Sequence, residues 1–318
     1  MAKGTDCSGT MVRSHTVSRA RYLSIVAEEN HVLQWQHSPW AKTKEEVITL
    51  QPTGINVAST FNGFCSHHDT QLFQEIDNAP FCATYSQIFA QVFRAHAREL
   101  YCKQAQILSY PDPADIADFH GLENPENYAR GPLAELESTS MDVGLRDTIL
   151  HHERLQAIQN AKEYHRLRSC VIPLSGTPVI STAGAFFPDF NATGKQLQDF
   201  TDLQSVLNSV HFSILPTETG AYAVFSFLDT EAIGPENFVF SVIEHKNLTD
   251  MLLWVAFTYI ENTHVRPSWW NALGKVQQDA IKTAMGYNMD IRDPRLMTIA
   301  EYPNLGFTNQ MAGKPFWL

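Results

Sequence analysis

The chain has 318 residues, of which 44% are hydrophobic, 11% aromatic and 18% charged. This length suits two ordinary domains or one large one, and the composition supplies enough apolar surface for a core. Disordered chains and disulfide-stapled miniproteins are therefore excluded. The 34 acidic and 23 basic residues give a formal net charge of −11. This charge excludes a uniformly basic nucleic-acid-binding surface and leaves only a local patch for DNA or RNA.

No uninterrupted apolar run reaches the length that spans a membrane, and the first residues lack the apolar core of a signal peptide. We therefore expect a cytoplasmic protein with no membrane partner. Its five cysteines are an odd number in a chain without an export signal, which favours free thiols or metal ligands over disulfides. They are Cys7, Cys65, Cys82, Cys102 and Cys170.

Hydrophobic periodicity and turn residues predict the elements in chain order. Residues 1–80 form a polar segment with a short helix at 19–29 and a strand at 46–50; a long amphipathic helix at 85–110, a loop at 111–132 and a second long helix at 142–168 follow. Strands are predicted at 171–174, 179–181, 210–214, 221–227 and 238–243, and helices at 249–261 and 268–285.

This order predicts an α+β protein in three parts. An N-terminal zinc-knuckle, HNH-like module occupies 1–80, and a helical region with a central pair of long helices occupies 81–170. The remaining 171–318 form an α+β domain, in which an antiparallel sheet is flanked by helices, because its strands alternate apolar and polar residues between turns.

The sharpest chemical signal is the CxxH pattern of Cys65 and His68. Thiolate and imidazole are preferred zinc ligands, and two intervening residues let both side chains face one ion. Cys7, in a glycine-containing turn, supplies a second thiol, and the fourth ligand is either His15 or another group. The alternative is that Cys65 is a buried thiol and the neighbouring histidines lie on the surface.

Segments 13–19, 25–32 and 54–69 resemble a group of uncharacterised bacterial proteins, some of which are similar to HNH (His-Me finger) endonucleases. Segment 261–270 also resembles the carboxy-terminal part of that group. The resemblance implies that His15 is the general base that activates water. It further implies that Asp69, at the start of a helix, binds Mg²⁺ or Mn²⁺. The central asparagine of the HNH pattern has no clean counterpart, since Thr60 lies nearest in spacing and Asn62 is two residues too close.

The resemblance thus favours a zinc-binding bacterial protein that cleaves nucleic acid, in phage defence or as a toxin-like effector. In the alternative, the zinc is purely structural, the protein is not an enzyme, and its C-terminal half binds a partner, a second copy or a small ligand. His15 cannot serve both as a zinc ligand and as a base, because its lone pair would be occupied.

Other candidates have simpler interpretations. The His151, His152 and His165 side chains are expected on a solvated helix face, and His96 is expected to make a buried hydrogen bond. Trp269 and Trp270 either stack on a nucleotide or, as we favour, anchor a helix in the core. The sequence contains no GxGxxG, GxxxxGK[ST] or GxSxG motif, which gives no support to dinucleotide-binding enzymes, P-loop NTPases or α/β-type serine hydrolases.

Overall fold

The computed structural model describes residues 7, 9–38, 40–42, 47–121, 124–231, 233–286, 305–307 and 309–318. Its strands are β1 (Met11–His15), β2 (His31–His37), β3 (Ile48–Gly54), β4 (Thr60–Cys65), β5 (Leu167–Ser175), β6 (Ile180–Phe186), β7 (Val210–Thr217), β8 (Gly220–Leu228), β9 (Thr263–Val265), β10 (Gln310–Met311) and β11 (Phe316–Trp317). Its helices are α1 (Ser66–Asn78), α2 (Tyr85–Ser109), α3 (Pro113–Phe119), α4 (Pro125–Ala129), α5 (Pro132–Ala161), α6 (Ile233–Ile243), α7 (Leu248–Tyr259), α8 (Pro267–Ala272) and α9 (Lys275–Gly286). Short helical turns lie at Arg19–Leu23, Ser24–Val26, Tyr164–Arg166 and Asp229–Glu231.

Nine of the described strands form one antiparallel sheet in the order β10–β5–β8–β7–β6–β9–β2–β3, with β11 also paired to β5. The strands β1 and β4 make a separate two-stranded sheet. Helices and an antiparallel sheet occur together along the chain, so the predicted α+β class is confirmed. Because β2 pairs with β9, the first 80 residues contribute strands to both sheets.

Each face of the large sheet covers its own hydrophobic core, since successive strand residues point to opposite faces. Along β5, Cys170 and Ile172 enter a core that also holds Trp254 of α7, whereas Val171 enters the other core. This second core contains Phe73 of α1 and many residues of α2. The unit of β1, β4 and α1 therefore packs, together with α2, on one face of the sheet.

The long helices are placed largely as predicted. The helix predicted at 85–110 is α2, whose N-cap Thr84 accepts a hydrogen bond from the Gln87 N–H. The second helix, α5, begins ten residues earlier than expected, because Pro132 suits the first helical turn. It ends at Ala161, where Lys162 adopts the left-handed conformation with φ 57°.

Two predicted elements are wrong. The segment 111–132 is not a continuous loop, since α3 and α4 form within it, each started by a proline that is tolerated in a first turn. The segment 238–243 is not a strand but the end of α6. Its buried residues Phe238, Val239 and Val242 have helical spacing, and a short apolar run does not distinguish the two structures.

The strand predicted at 46–50 starts outside the described residues and is seen from Ile48 onward. The helix predicted at 268–285 is divided into α8 and α9 near Gly274. In the part of the chain that the structure describes, no helix combines the length and apolar character needed to cross a bilayer.

Candidate metal centre

The three predicted zinc ligands meet at one end of the β1–β4 ladder. Met11 lies opposite Cys65 in this ladder, and α1 starts at the very next residue, Ser66. Because His68 is in the first turn of α1, its imidazole is placed beside the Cys65 thiol. The chain before β1 passes the same corner, where the Ser66 N–H donates to the Thr10 carbonyl at 3.3 Å.

The donor atoms of Cys7, Cys65 and His68 all lie within 4.8 Å of one another. The Cys65 Sγ and His68 Nδ1 atoms are 3.3 Å apart. Tetrahedral zinc, with Zn–S near 2.3 Å and Zn–N near 2.0 Å, requires donor separations of about 3.5–3.8 Å. None of the cysteines in the described residues forms a disulfide. Two thiols and one imidazole in this arrangement therefore fit Zn²⁺.

His15 lies at the other end of the same ladder, opposite Thr60. It is four positions after Met11, which corresponds to about 13 Å along a strand. Its Nε2–H donates to the Ile55 carbonyl at 3.0 Å, so its Nδ1 carries the lone pair. Burial lowers the pKa of His15, and the positive charges of Arg19 and Arg94 lower it further. His15 is thus a neutral imidazole near pH 7 and is not the fourth ligand of the thiolate centre.

Asp69 occupies the first turn of α1, as predicted, but it faces a guanidinium group. Its Oδ1 lies 3.9 Å from Arg94 Nη2 and has no hydrogen-bond partner in the described part of the chain. The Arg94 side chain is only 1% exposed and packs 4.0 Å above the Phe73 ring. The structure therefore gives Asp69 a cationic neighbour, and a bound metal ion would compete with that cation.

A second group of polar side chains, which the sequence did not predict as a unit, lies next to the His15 end of the ladder. Ser59 adopts φ 61°, a left-handed conformation that is uncommon for a residue other than glycine. Its carbonyl accepts from the Thr16 N–H at 2.8 Å, and its hydroxyl donates to Asn262 Oδ1 at 2.9 Å. His264 Nε2–H donates to the same oxygen at 3.1 Å.

One sequence signal could have revealed this group. Asn262 immediately precedes β9 and His264 lies within it, two residues later, which is the spacing at which residues of a strand share a face. Both residues lie in the segment 261–270. Their partner Ser59, 203 residues before Asn262, belongs to no sequence pattern that predicts the contact. In the same segment, Trp269 and Trp270 are 6% and 8% exposed, which confirms that they anchor the core.

The histidines of α5 are not on a solvated face. His151 and His152 are 0% and 4% exposed, so that prediction is wrong. The reason is that α5 packs against both α2 and the segment before β7, where the Leu207 carbonyl accepts from His151 Nε2–H at 2.7 Å. The buried hydrogen bond predicted for His96 is confirmed, since its Nε2–H donates to the Thr148 carbonyl at 2.9 Å.

Comparison with known proteins found no relative of this chain. No protein-family model, no curated protein and no solved structure matches this chain.

Proposed function

We propose that this protein binds one Zn²⁺ through Cys7, Cys65 and His68, and that the ion has a structural role. The observation that carries the proposal is the convergence of two thiols and one imidazole within 4.8 Å. Bound zinc would tie the chain before β1 to the junction between β4 and α1. Since structural zinc contributes folding free energy directly, it would stabilise this junction.

Metal analysis of tag-free protein tests this proposal. Cys7 and Cys82 are both exposed cysteines, so Cys82→Ser is a matched control for Cys7→Ser. We expect one tightly bound zinc in the wild type and in Cys82→Ser, and weak or no binding in Cys7→Ser. Retention of the zinc in folded Cys7→Ser protein, or its absence from the wild type, would overturn the assignment.

A second candidate function is HNH-like hydrolysis of phosphodiester bonds in DNA or RNA. It is favoured by one observation: His15 is a neutral imidazole with a free lone pair on a β-ladder that leads directly into a helix. In that role His15 would take a proton from the attacking water through Nδ1. A divalent ion near Asp69, Mg²⁺ or Mn²⁺, would supply charge stabilisation when bound. Cleavage in phage defence or by a toxin-like effector is the biological context proposed for it.

Nuclease assays with Mg²⁺ and Mn²⁺ test this candidate. We expect cleavage that is lost in His15→Ala and strongly reduced in Asp69→Ala. His31→Ala, at an exposed histidine on β2, should keep full activity. Cleavage that persists in folded His15→Ala protein would contradict base catalysis. If the wild type does not cleave either nucleic acid, the non-enzymatic function is favoured, in which the C-terminal half binds a partner or small ligand.

A further inference from the structure

The two cysteines of the candidate zinc site lie close enough to react with each other. Their Sγ atoms are within 4.8 Å, although the two residues are far apart in the chain. The backbone holds their segments together, because β1 pairs with β4 and the Ser66 N–H donates to the Thr10 carbonyl at 3.3 Å. A disulfide bond is about 2.0 Å long, so the two sulfurs have to approach by less than about 3 Å to form one.

The two sulfurs differ in their access to solvent. Cys7 is exposed, whereas Cys65 is 2% exposed and is the last residue of β4. Cys7 lies outside every described helix and strand, so its side chain can turn toward Cys65 without breaking a backbone ladder. An oxidant in solution therefore reaches Cys7 first, and Cys65 is placed to attack it from the protein side.

The cysteines elsewhere are less suited to this chemistry. The thiolate, and not the thiol, is the nucleophile that reacts with peroxides. Burial raises the pKa of Cys102 to about 11 and that of Cys170 to about 12, so both remain thiols near neutral pH. Zinc binds cysteine as thiolate and would therefore keep Cys7 and Cys65 in the reactive form.

We propose that Cys7 and Cys65 form a redox switch, in which a hydroperoxide such as hydrogen peroxide joins them in a disulfide and releases the zinc. This inference rests on the zinc site of the proposed function and adds its regulation. The Cys7 thiolate attacks the peroxide, which forms an S–O bond, breaks the O–O bond and releases hydroxide. The Cys65 thiolate then attacks the Cys7 sulfur, which forms the S–S bond, breaks the S–O bond and releases a second hydroxide.

The reaction balances between the two sulfurs and the peroxide. The two thiolates lose two electrons in total, and the peroxide gains them and becomes two hydroxide ions, which take protons from the solvent. Zinc leaves because a disulfide offers no thiolate and only the His68 imidazole remains of its three ligands. The new bond still ties the chain before β1 to the end of β4. Oxidation thus exchanges one cross-link for another and frees His68.

Treatment of zinc-loaded, tag-free protein with hydrogen peroxide tests this switch. We expect complete release of the zinc, detected with a chromogenic chelator, and an intact mass that is lower than that of the reduced apoprotein by two hydrogen atoms. Peptide mapping should locate the new bond between Cys7 and Cys65, and dithiothreitol should restore zinc binding.

Two variants and one solvent condition are the controls. Cys82→Ser, which removes an exposed thiol outside the Cys7, Cys65 and His68 group, should behave like the wild type. Cys7→Ser should not form the cross-link. In urea, where the fold no longer brings Cys7 to Cys65, peroxide should join the five cysteines without this preference.

Each outcome decides between the two proposals. Zinc that stays bound in peroxide, or that is released without a bond between Cys7 and Cys65, overturns the switch and leaves the zinc site in place. A wild type that binds no zinc but forms this bond overturns the zinc site and leaves the reactive thiol pair. Absence of both the zinc and the bond overturns both proposals. Equal formation of the bond in folded and urea-unfolded protein also overturns the switch, since the fold would then not direct the pairing.

Discussion

Arg94 of α2 is joined to Asp77 of α1 by two parallel hydrogen bonds, Nη1 to Oδ1 at 3.0 Å and Nη2 to Oδ2 at 2.5 Å. The Arg94 side chain is 1% exposed, whereas that of Asp77 is 34% exposed. The pair thus places a buried cation beside a half-buried anion. It links the last turn of α1 to α2.

Removal of the Asp77 charge should lower the free energy of unfolding. Among the described residues, Asp77→Asn leaves the buried guanidinium with only Asp69, at 3.9 Å, as a counter-ion. We expect a loss of about 3 kcal/mol in the free energy of unfolding, because an uncompensated buried charge is strongly destabilising. The exposed pair Arg130–Glu126 provides the control, since Glu126→Gln should cost less than about 1 kcal/mol. Urea unfolding of both variants measures the difference, and equal losses would contradict this account of Arg94.

Asn262 is expected to be essential for stability because it satisfies three buried groups. Its replacement by alanine leaves the Ser59 hydroxyl, the His264 Nε2–H and the Ala183 carbonyl without this partner. Each unsatisfied buried group costs about 1–3 kcal/mol. We therefore expect Asn262→Ala to lower the free energy of unfolding by several kcal/mol, while Asn62→Ala, at an exposed position of β4, has little effect. A difference of less than about 1 kcal/mol between the two variants would contradict this role.

Acid should destabilise the protein through its buried histidines. Burial lowers the pKa of His211 to about 3 and that of His152 to about 4, and it lowers the pKa of His96 well below its usual value. In the unfolded chain these groups take up protons near pH 6.5. The unfolded state therefore binds more protons below that pH, so stability falls as the pH is lowered from about 6.5 toward the native pKa values.

The urea midpoint measured from pH 7 to pH 5 tests this expectation. The loss should approach about 1.4 kcal/mol per pH unit for each fully buried histidine. His211→Gln should give a flatter dependence than the wild type, because glutamine does not titrate. His165→Gln, at an exposed histidine, should follow the wild-type curve. Identical curves for all three proteins would exclude His211 as a source of the pH dependence.

Substitution by alanine should lower the stability of the protein at one glycine and raise it at another. A Cβ atom at Gly220 of β8 would lie 1.9 Å from the Leu174 carbonyl oxygen, so the β5–β8 pairing would have to move. At Gly144 of α5, the nearest atom is the flexible Lys103 Nζ, 3.4 Å away. We expect Gly220→Ala to be strongly destabilising and Gly144→Ala to stabilise by about 0.5–1 kcal/mol through helix propensity. Thermal melts that rank the two variants in the reverse order would contradict the register of β5 and β8.

Local patterns in the sequence predicted much of this fold. The α+β class is confirmed, because period-two and helical patterns identify strands and helices over short windows. Cys65 and His68 could be assigned to one candidate site from the sequence, because a spacing of three residues at the start of a helix places both side chains on the same side. The structure also brings Cys7 to the same corner, although zinc itself stays a prediction.

Contacts between segments that are far apart in the chain could not be predicted from the sequence. Nothing near Asp69 indicates that Arg94 will lie against it, and no pattern links Ser59 with Asn262. The burial of His151 and His152 depends on which helices pack beside α5, which is a tertiary property. The strand predicted at 238–243 failed for a related reason: a short apolar run is compatible with either structure until its packing partner is known.

The connection between β1 and β4 has a consequence for the order of folding. Residues 16–59 lie between these two strands. They include β2 and β3, which pair with each other and join the large sheet through the pairing of β2 with β9. Closing such a long loop is entropically costly unless its own strands have already docked. We therefore expect the β1–β4 ladder to assemble late, after the central strands, and native contacts of such high sequence separation to make refolding slow. On this pathway the two thiols meet in one of the last steps, so metal capture would report completion of folding rather than its initiation.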